Sequence, residues 1–321
     1  MSPRPELSII LVHYRTPVVT GHCLRSLFAH IGVEFEVIVV DNDPTDRSGK
    51  ELASAFPRTR WLEAPGNIGF GAACNMGMRA ATGRLLWLLN TDTEIRSDAG
   101  GAICHIFNER PEIDLLCHTL YNSDGSLQLN LFEDETPTPS VVRKQQWLQS
   151  PFGRWHLRRP KKISRYRTGA KVIACSGASL VLRRRVFEET GGFDTDFFMY
   201  CEETEWLRRR VRGKYTLWFE PSISVVHHSG GSGGAWGRWQ NRLSYCLYLY
   251  KFDPDLLKLY LRYESINQCL WYMVRLAGLR IPKAREEWKH GRRLLELARN
   301  EITAYPPSFG ARGANRLVYT A

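Results

Sequence analysis

Arg84-Leu85-Leu86-Trp87-Leu88-Leu89-Asn90-Thr91-Asp92-Thr93-Glu94 is an uninterrupted apolar run that ends abruptly in amides, hydroxyls and carboxylates. A run of this kind, without polar alternation, reads as a strand buried on both faces. The same signature occurs upstream at residues 7–13 and 36–41, with a further strand predicted at 59–63. Between these runs the periodicity predicts helices over 18–29, 48–55, 71–81 and 98–109. Strands alternating with helices of that length form βαβ units, so an α/β fold with a mostly parallel central sheet flanked by helices is expected. In such sheets ligands bind beyond the carboxyl ends of the strands. Those ends are His13-Tyr14-Arg15, Asp41-Asn42-Asp43 and Asn90-Thr91-Asp92, three polar clusters on one edge.

Outside this frame the chain changes character. Residues 141–172 hold ten Lys and Arg and no Asp or Glu, and Pro137, Pro139, Pro151 and Pro160 interrupt any long helix. The segment of about 137–172 reads as a mobile basic loop inserted in a first domain of residues 1–234. A strand is expected within 173–182, helices near 184–190 and 203–212, and two short strands at 216–220 and 223–227. Past the glycine run 230–234, residues 235–321 are rich in Tyr, Trp, Leu and Arg at helical spacing, which predicts a helical, basic and aromatic-rich appendage.

The 321 residues carry a net charge of +11, which points to an anionic partner: phosphorylated substrate, anionic lipid or nucleic acid. Eight cysteines without a C-x-x-C pair read as buried reduced thiols rather than a zinc ribbon. The short N-terminus lacks the apolar stretch of a signal peptide, and no window approaches a membrane span. A cytoplasmic protein is expected, peripheral on the inner face of the membrane if it meets lipid at all.

Five clusters could carry chemistry, and each has a plain structural reading beside it. Asp41-Asn42-Asp43 places a carboxylate where it can accept a pyrimidine N–H, and equally forms a turn ahead of Pro44. Gly66-Asn67-Ile68-Gly69-Phe70-Gly71 lets backbone approach a phosphate at a helix start, or simply caps that helix. Asp92 leaves its strand well placed for a hard cation such as Mg²⁺, and the alternative is a local helix cap. Glu202-Glu203-Thr204-Glu205 is either a solvated helix start or the source of a general base whose pKa is raised by crowding. His227 and His228 leave a strand toward opposite faces, so at most one joins a given site. An imidazole there suits Mn²⁺ as well as Mg²⁺.

The five clusters, in this order, resemble glycosyltransferase family 2, and within it the rhamnosyltransferase-like branch that builds bacterial surface polysaccharides. The carrying stretches are LSIILVHYRT (7–16), EVIVVDNDPTDRS (36–48), APGNIGFGAACNMGMRAATGRLLWLLNTDTEI (64–95), CSGASLVLRRRVFEETGGFDTDFFMYCEETEWLRR (175–209) and SISVVHHSGGS (222–232). The resemblance implies a GT-A fold, a nucleotide-sugar donor and one divalent cation, Mg²⁺ or Mn²⁺. It implies that Tyr14, Arg15, Asp41, Asn67, Thr91 and Asp92 bind the nucleotide sugar, that Asp92 and His227 hold the metal, and that Glu203 is the catalytic base. Three positions depart from the family pattern. The D-x-D motif reads Asn90-Thr91-Asp92, the base is Glu rather than Asp, and Thr204-Glu205 replaces an apolar residue and Asp.

The resemblance implies an inverting transfer, with rhamnose from dTDP-rhamnose as the donor that branch suggests, to a glycan or polyprenyl-linked acceptor. The basic stretch and the tail suit either an anionic membrane surface or a second copy of the chain in a homodimer. Two other classes were weighed. A sugar nucleotidyltransferase would carry a glycine- and lysine-rich loop after the first strand, where His13-Tyr14-Arg15-Thr16-Pro17 stands instead. A nucleic-acid or membrane binder without enzymatic activity explains the charge but not acidic clusters at strand ends, so no nucleic-acid partner is expected.

Overall fold

The computed structural model describes residues 4–132, 136–153, 163–228 and 235–278, with scattered positions from 285 to 296. Its elements begin β1 (Leu7–His13), α1 (Pro17–His30), β2 (Phe35–Asp41), α2 (Ser48–Ala55), β3 (Thr59–Glu63), α3 (Phe70–Ala80) and β4 (Leu85–Leu89). Next come β5 (Thr93–Glu94), α4 (Ala99–Glu109), β6 (Leu115–Tyr121), β7 (Leu127–Gln128), β8 (Leu131–Phe132) and α5 (Pro139–Gln149). The remainder is β9 (Ala170–Lys171), β10 (Ala174–Cys175), β11 (Ser179–Arg183), α6 (Arg184–Thr190), α7 (Glu202–Trp206), β12 (Leu217–His227), α8 (Ala235–Phe252) and α9 (Pro254–Ala277). The chain divides into two compact units, Met1–Glu133 with Ile163–Gly234, and Asp134–Lys162 with Ala235–Ala321.

In the first unit ten strands share one sheet in the order β3-β2-β1-β4-β11-β6-β12-β5, with β7 paired to β6 and β9 to β12. β3, β2, β1 and β4 run parallel, with Ile9 opposite Val37 and Leu7 opposite Leu85. Parallel neighbours need crossovers, and α1, α2 and α3 supply them. β11 runs antiparallel between β4 and β6, which brings the start of β11 to the edge where β1, β2 and β4 end.

The apolar strands divide their side chains cleanly by parity. Leu7, Ile9, Leu11, Leu85, Trp87 and Leu89 face a core completed by Leu24 and Leu27 of α1 and Ile103 and Phe107 of α4. Ile10, Leu86 and Leu88 face the other way, onto Cys74 and Met78 of α3, Val186 and Phe187 of α6, and Trp206. This two-sided burial is why the runs lack polar alternation. All eight cysteines are free thiols and six are buried, as expected of small apolar side chains.

Three expectations change. β6 was not legible as a strand because His118 and Thr119 break its apolar run, yet both are buried. The two short strands expected at 216–220 and 223–227 are one strand, β12, whose pairing with β6 skips between Glu220 and Ser224. Pro221, which lacks an N–H, sits at that irregularity. The basic stretch expected as a loop within the first domain instead contains α5, which packs with α9 in the second unit. Pro139 does not break α5 because it occupies the helix start, where its missing N–H has no partner to lose, and the Thr138 hydroxyl accepts from Val141 N–H at 3.2 Å. Arg154, Arg158, Arg159, Pro160, Lys161 and Lys162 of that stretch, the glycine run 230–234 and most of the chain beyond 278 lie outside the described residues.

Among the described residues no helix is long and apolar enough to cross a membrane. The second unit is built on α5, α8 and α9. Inside it the fully buried Glu264 carboxylate accepts from Arg242 Nη1 at 2.8 Å, and Asn267 donates to both the backbone and side-chain oxygens of Gln146.

His118 makes fold stability depend on pH. Its ring lies edge-on to Trp87, and its Nε2 is 2.8 Å from the Ser179 hydroxyl, which also accepts from Trp87 Nε1. Complete burial pulls its pKa down from 6.5 to about 4. A depressed pKa means that the folded state binds fewer protons than the unfolded state across that interval. This contribution is therefore full above pH 6.5 and is lost as pH falls toward 4, amounting to about 3 kcal/mol at most. Denaturant melts at pH 7 and pH 4.5 test this: His118→Gln flattens the decline relative to the parent, and an unchanged slope would contradict it.

Candidate active site

The carboxyl edge of the parallel strands collects the polar side chains that the sequence singled out. Asp41 ends β2 almost fully buried, with Oδ1 accepting from Asp43 N–H at 3.1 Å and Oδ2 set directly against Gly49 of α2. A Cβ on Gly49 would fall 2.0 Å from that oxygen, so only glycine fits. Burial raises the Asp41 carboxyl, opposed by the Asp43 N–H and by His13. Asp41 therefore holds the turn that follows β2. Tyr14 and Arg15 follow β1. Arg15 has φ 52°, stacks over the Tyr14 ring at 5.5 Å, and donates from Nε to Asp43 at 2.5 Å. Bonds from Thr45 and Arg15 hold the Asp43 carboxyl below its usual range.

Asn67 ties this end to the glycine loop. Its Oδ1 accepts from Asn42 Nδ2 at 3.0 Å and from Gly69 N–H at 3.2 Å, while Asn42 Oδ1 accepts from Ile68 N–H. The glycines themselves serve close packing. Gly69, at φ +87°, leaves no room for a Cβ beside the Phe198 carbonyl, to which Phe70 N–H donates at 2.7 Å. Asn75, further along α3, exchanges two bonds with the backbone of Phe193 at 2.8 and 2.9 Å. The loop and α3 thereby fix the segment that leads into α7.

Asp92, three residues past the end of β4, opens the second half of the site. Asp92 Oδ1 stands 3.1 Å from His227 Nε2, because β5 pairs with β12 and sets Thr93 opposite His227. His227 Nδ1 faces Gln128 Oε1 at 2.8 Å, and the Gln128 amide is oriented by donating its Nε2 to Asn122. Nδ1–H is the donor, and Nε2 is left to face the carboxylate. Asn90 Nδ2 lies 3.4 Å from the same nitrogen, and Asn90 Oδ1 is buried without a hydrogen-bond partner. Burial alone would raise Asp92, but the bond and charge from His227 hold it below its usual range. Thr91 is half-buried beside it. His228 turns the other way, to Glu94 at 3.3 Å and Ser123 at 2.9 Å.

Among the described residues no three His, Cys, Asp or Glu side chains form a metal cluster. One carboxylate and one imidazole, with an orphaned amide oxygen nearby, is nonetheless a donor set that fits Mg²⁺ or Mn²⁺. Such ions draw most of their remaining ligands from water and substrate phosphates.

The three glutamates of α7 have separate surroundings. Glu205 is buried and pairs with Arg209 at 3.4 Å. Glu202 is buried against Gly71 of α3, and its Oε2 has no hydrogen-bond partner. Glu203 packs on Gly177, whose N–H donates to its carboxylate, and its Oε2 likewise has no partner. Burial pushes both Glu202 and Glu203 upward, and the charge of Glu203 adds to the effect on Glu202. Two successive left-handed residues, Tyr200 and Cys201 at φ 69°, precede the helix. Strain of that kind costs on the order of 1–3 kcal/mol per residue and gathers at functional sites.

Gly177 also lies next to the contact that leads toward Asp92 and His227. Its neighbour Ala178 accepts from Asn90 N–H at 2.9 Å, and Asn90 lies two residues from Asp92. Asp92 pairs with His227 and Glu203 packs on Gly177 just before β11, while Tyr14, Arg15, Asp41 and Asn67 gather at the ends of β1 and β2. Gln128 and Gly177 escaped the sequence reading. Each is a lone residue in a short segment, placed by long-range pairing rather than by local pattern.

Comparison with known proteins follows this geometry. Residues 8–191 match the family described as Glycosyl transferase family 2. An N-acetylglucosaminyl-diphospho-decaprenol L-rhamnosyltransferase of Mycobacterium tuberculosis is 24% identical over 246 residues, covering 71% of this chain and 78% of that protein. The low-salt glycan biosynthesis hexosyltransferase Agl10 of Haloferax volcanii is 24% identical over 229 residues, covering 70% and 67%. Among solved structures, a mannosyltransferase from Pyrobaculum calidifontis in complex with GDP-Man and Mn²⁺ superimposes with a TM-score of 0.52 at 15% identity, covering 94% of this chain and 88% of that one. The architecture is the GT-A fold.

Proposed function

This chain belongs to glycosyl transferase family 2 and is a glycosyltransferase, and on that premise we propose that it moves a sugar, with inversion, from a nucleotide-sugar donor to a hydroxyl of a lipid-linked glycan. The observation that carries the reading is the 3.1 Å pair of Asp92 and His227 past the end of β4, with Glu203 set on Gly177, next to the Ala178 carbonyl that accepts from Asn90.

Asp41 accepts the N–H of a pyrimidine ring, Tyr14 and Arg15 line the nucleoside, and Asn67 closes the pocket over it. Asp92 and His227 would hold a divalent cation, and Thr91, next to Asp92 in the chain, would face the donor. When bound, the cation neutralises charge on the departing nucleoside diphosphate. Glu203 takes the proton of the acceptor hydroxyl as the new bond from oxygen to the anomeric carbon forms and the bond to the diphosphate breaks on the opposite face. Gly177 N–H holds the Glu203 carboxylate in place, and the unpartnered Oε2 is the atom free to receive the proton. Its upward-shifted pKa keeps it basic enough for this work near neutral pH.

The relatives supply the substrate class. One is named for transferring L-rhamnose to N-acetylglucosaminyl-diphospho-decaprenol, which supports a rhamnosyl donor such as dTDP-rhamnose and a polyprenyl-diphosphate glycan acceptor. Such an acceptor lives at a membrane. Ile266, Met273 and Val274 of α9 are exposed apolar side chains that suit contact with that surface. A thermal-shift panel of nucleotide sugars, run with Mn²⁺ and with EDTA, tests the proposal. Binding to the folded state alone raises the melting temperature, so one pyrimidine nucleotide sugar should stabilise the protein with Mn²⁺ and lose most of that effect in EDTA. A panel without any response would contradict the reading.

A further inference from the structure

At the opposite edge of the sheet, where β1 and β4 begin and β11 ends, lies a cavity of about 650 Å³. β4, five residues and roughly 17 Å long at ordinary strand rise, separates it from the Asn90–Asp92 end, and it shares no side chain with the donor site. Its lining includes Arg4, Arg84, Arg183, Arg184 and Arg185, against only Glu6 and Glu188. These charges are compensated unequally. Arg84 is spent on Glu6, at 3.0 and 2.6 Å, and Arg185 pairs with Asp114. Arg183 donates only to carbonyl oxygens, those of Phe107, Arg110 and Ile113, at the C-terminal end of α4. Arg184 donates to the Gly83 carbonyl, and its Nη2 is buried without a hydrogen-bond partner.

Among the described residues neither Arg183 nor Arg184 makes a close ion pair, although Glu188 lines the same cavity and Asp114 and Glu112 act on Arg183 from further off, and Arg4 adds an exposed third guanidinium. The carbonyls that meet Arg183 end α4 and carry the negative end of its dipole, which offsets only part of the charge. Burial lowers the Arg183 pKa and the neighbouring Arg84 and Arg185 lower it further, against the opposing pull of Asp114 and Glu112. Five guanidinium groups around one cavity against two glutamates leave it cationic. Planar guanidinium groups match the oxygens of phosphate in bidentate pairs. The volume exceeds that of a single ion and falls in the range of small-molecule sites.

We propose that this cavity is a phosphoanion site, taking a diphosphate or a phosphate ester through Arg4, Arg183 and Arg184. The ligand is either a soluble phosphoanion or the headgroup of an anionic phospholipid. The site is independent of the donor reading: its failure leaves Asp92 and Glu203 untouched, and theirs leaves the arginines in place.

The test uses the full chain carrying Asp92→Ala, in EDTA, so that the donor site is silent. Pyrophosphate is titrated with the melting temperature as readout, and sedimentation is measured with vesicles of phosphatidylcholine with or without phosphatidylglycerol. Arg184→Gln keeps a donor for the Gly83 carbonyl, and Arg4→Gln alters an exposed side chain that cannot carry the fold. A pyrophosphate shift whose apparent Kd weakens at least about tenfold in both variants establishes a soluble phosphoanion. Phosphatidylglycerol-dependent pelleting reduced by both substitutions establishes the headgroup. Responses absent from the parent, or unchanged by both substitutions, overturn the proposal and leave the arginines with a structural role alone.

Discussion

Glu203→Gln lowers turnover by about 10²–10⁴-fold, the usual contribution of a positioned general base, while donor binding survives. Glutamine keeps the size of the side chain and an oxygen that can accept from Gly177 N–H, so α7 is expected to remain in place. What is lost is the ability of the unpartnered Oε2 to take a proton. The neighbouring glutamates provide the contrast. Glu205 is committed to Arg209, and Glu202 faces Gly71 rather than the Gly177 turn. Glu205→Gln should reduce stability more than turnover, and Glu202→Gln should leave turnover within about tenfold of the parent. The pH profile offers a second readout. Since burial raises the Glu203 pKa, the acid limb of the rate profile should fall at a higher pH than an ordinary glutamate gives, and Glu203→Gln should abolish that limb. Full turnover in Glu203→Gln would transfer the assignment to another residue.

Asp92→Ala is the second large effect. It removes the one carboxylate of the proposed cation site and leaves His227 without its partner at 3.1 Å. Donor affinity measured with Mn²⁺ should fall by about a hundredfold or more, since a bridging cation is worth several kcal/mol to a diphosphate. The parent in EDTA should fall to the same level, and the variant should no longer respond to EDTA. Isothermal titration of the nucleoside diphosphate under the four conditions checks this. Equal affinity of the parent with and without EDTA would remove the cation from the account. Asp92 is not part of a hydrophobic core, so loss of binding in a variant with an unchanged melting temperature reports on the site.

Much of this was readable before any fold was known. The strands that end in Asp41 and Asn90 are buried on both faces, so their composition alone marks them, and their polar ends mark the edge where chemistry gathers. What escaped was whatever depends on partners distant in sequence. β6 contains a histidine whose burial is made tolerable by Ser179, sixty-one residues away. α5 begins with a proline and carries cations, and only its packing with α9 makes it a helix of a folded unit. Gln128 lies in a two-residue strand, and its value comes from orienting His227 across ninety-nine residues. The glycine loop was recognisable as a site of close approach, but the approaching group is the backbone at Phe198. The acidic cluster at 202–205 could not be resolved from sequence, because the distinction among its members lies in whether each meets Arg209, Gly71 or Gly177.

The most direct test of the central claim is the position of the cation relative to His227. Mn²⁺ added with a nucleoside diphosphate should selectively broaden the imidazole resonances of His227, identified by their disappearance in His227→Gln. The broadening should be lost in Asp92→Ala. If the His227 signals stay sharp under saturating Mn²⁺ and nucleotide, the cation does not sit between Asp92 and His227, and the assembly of the site described above is wrong.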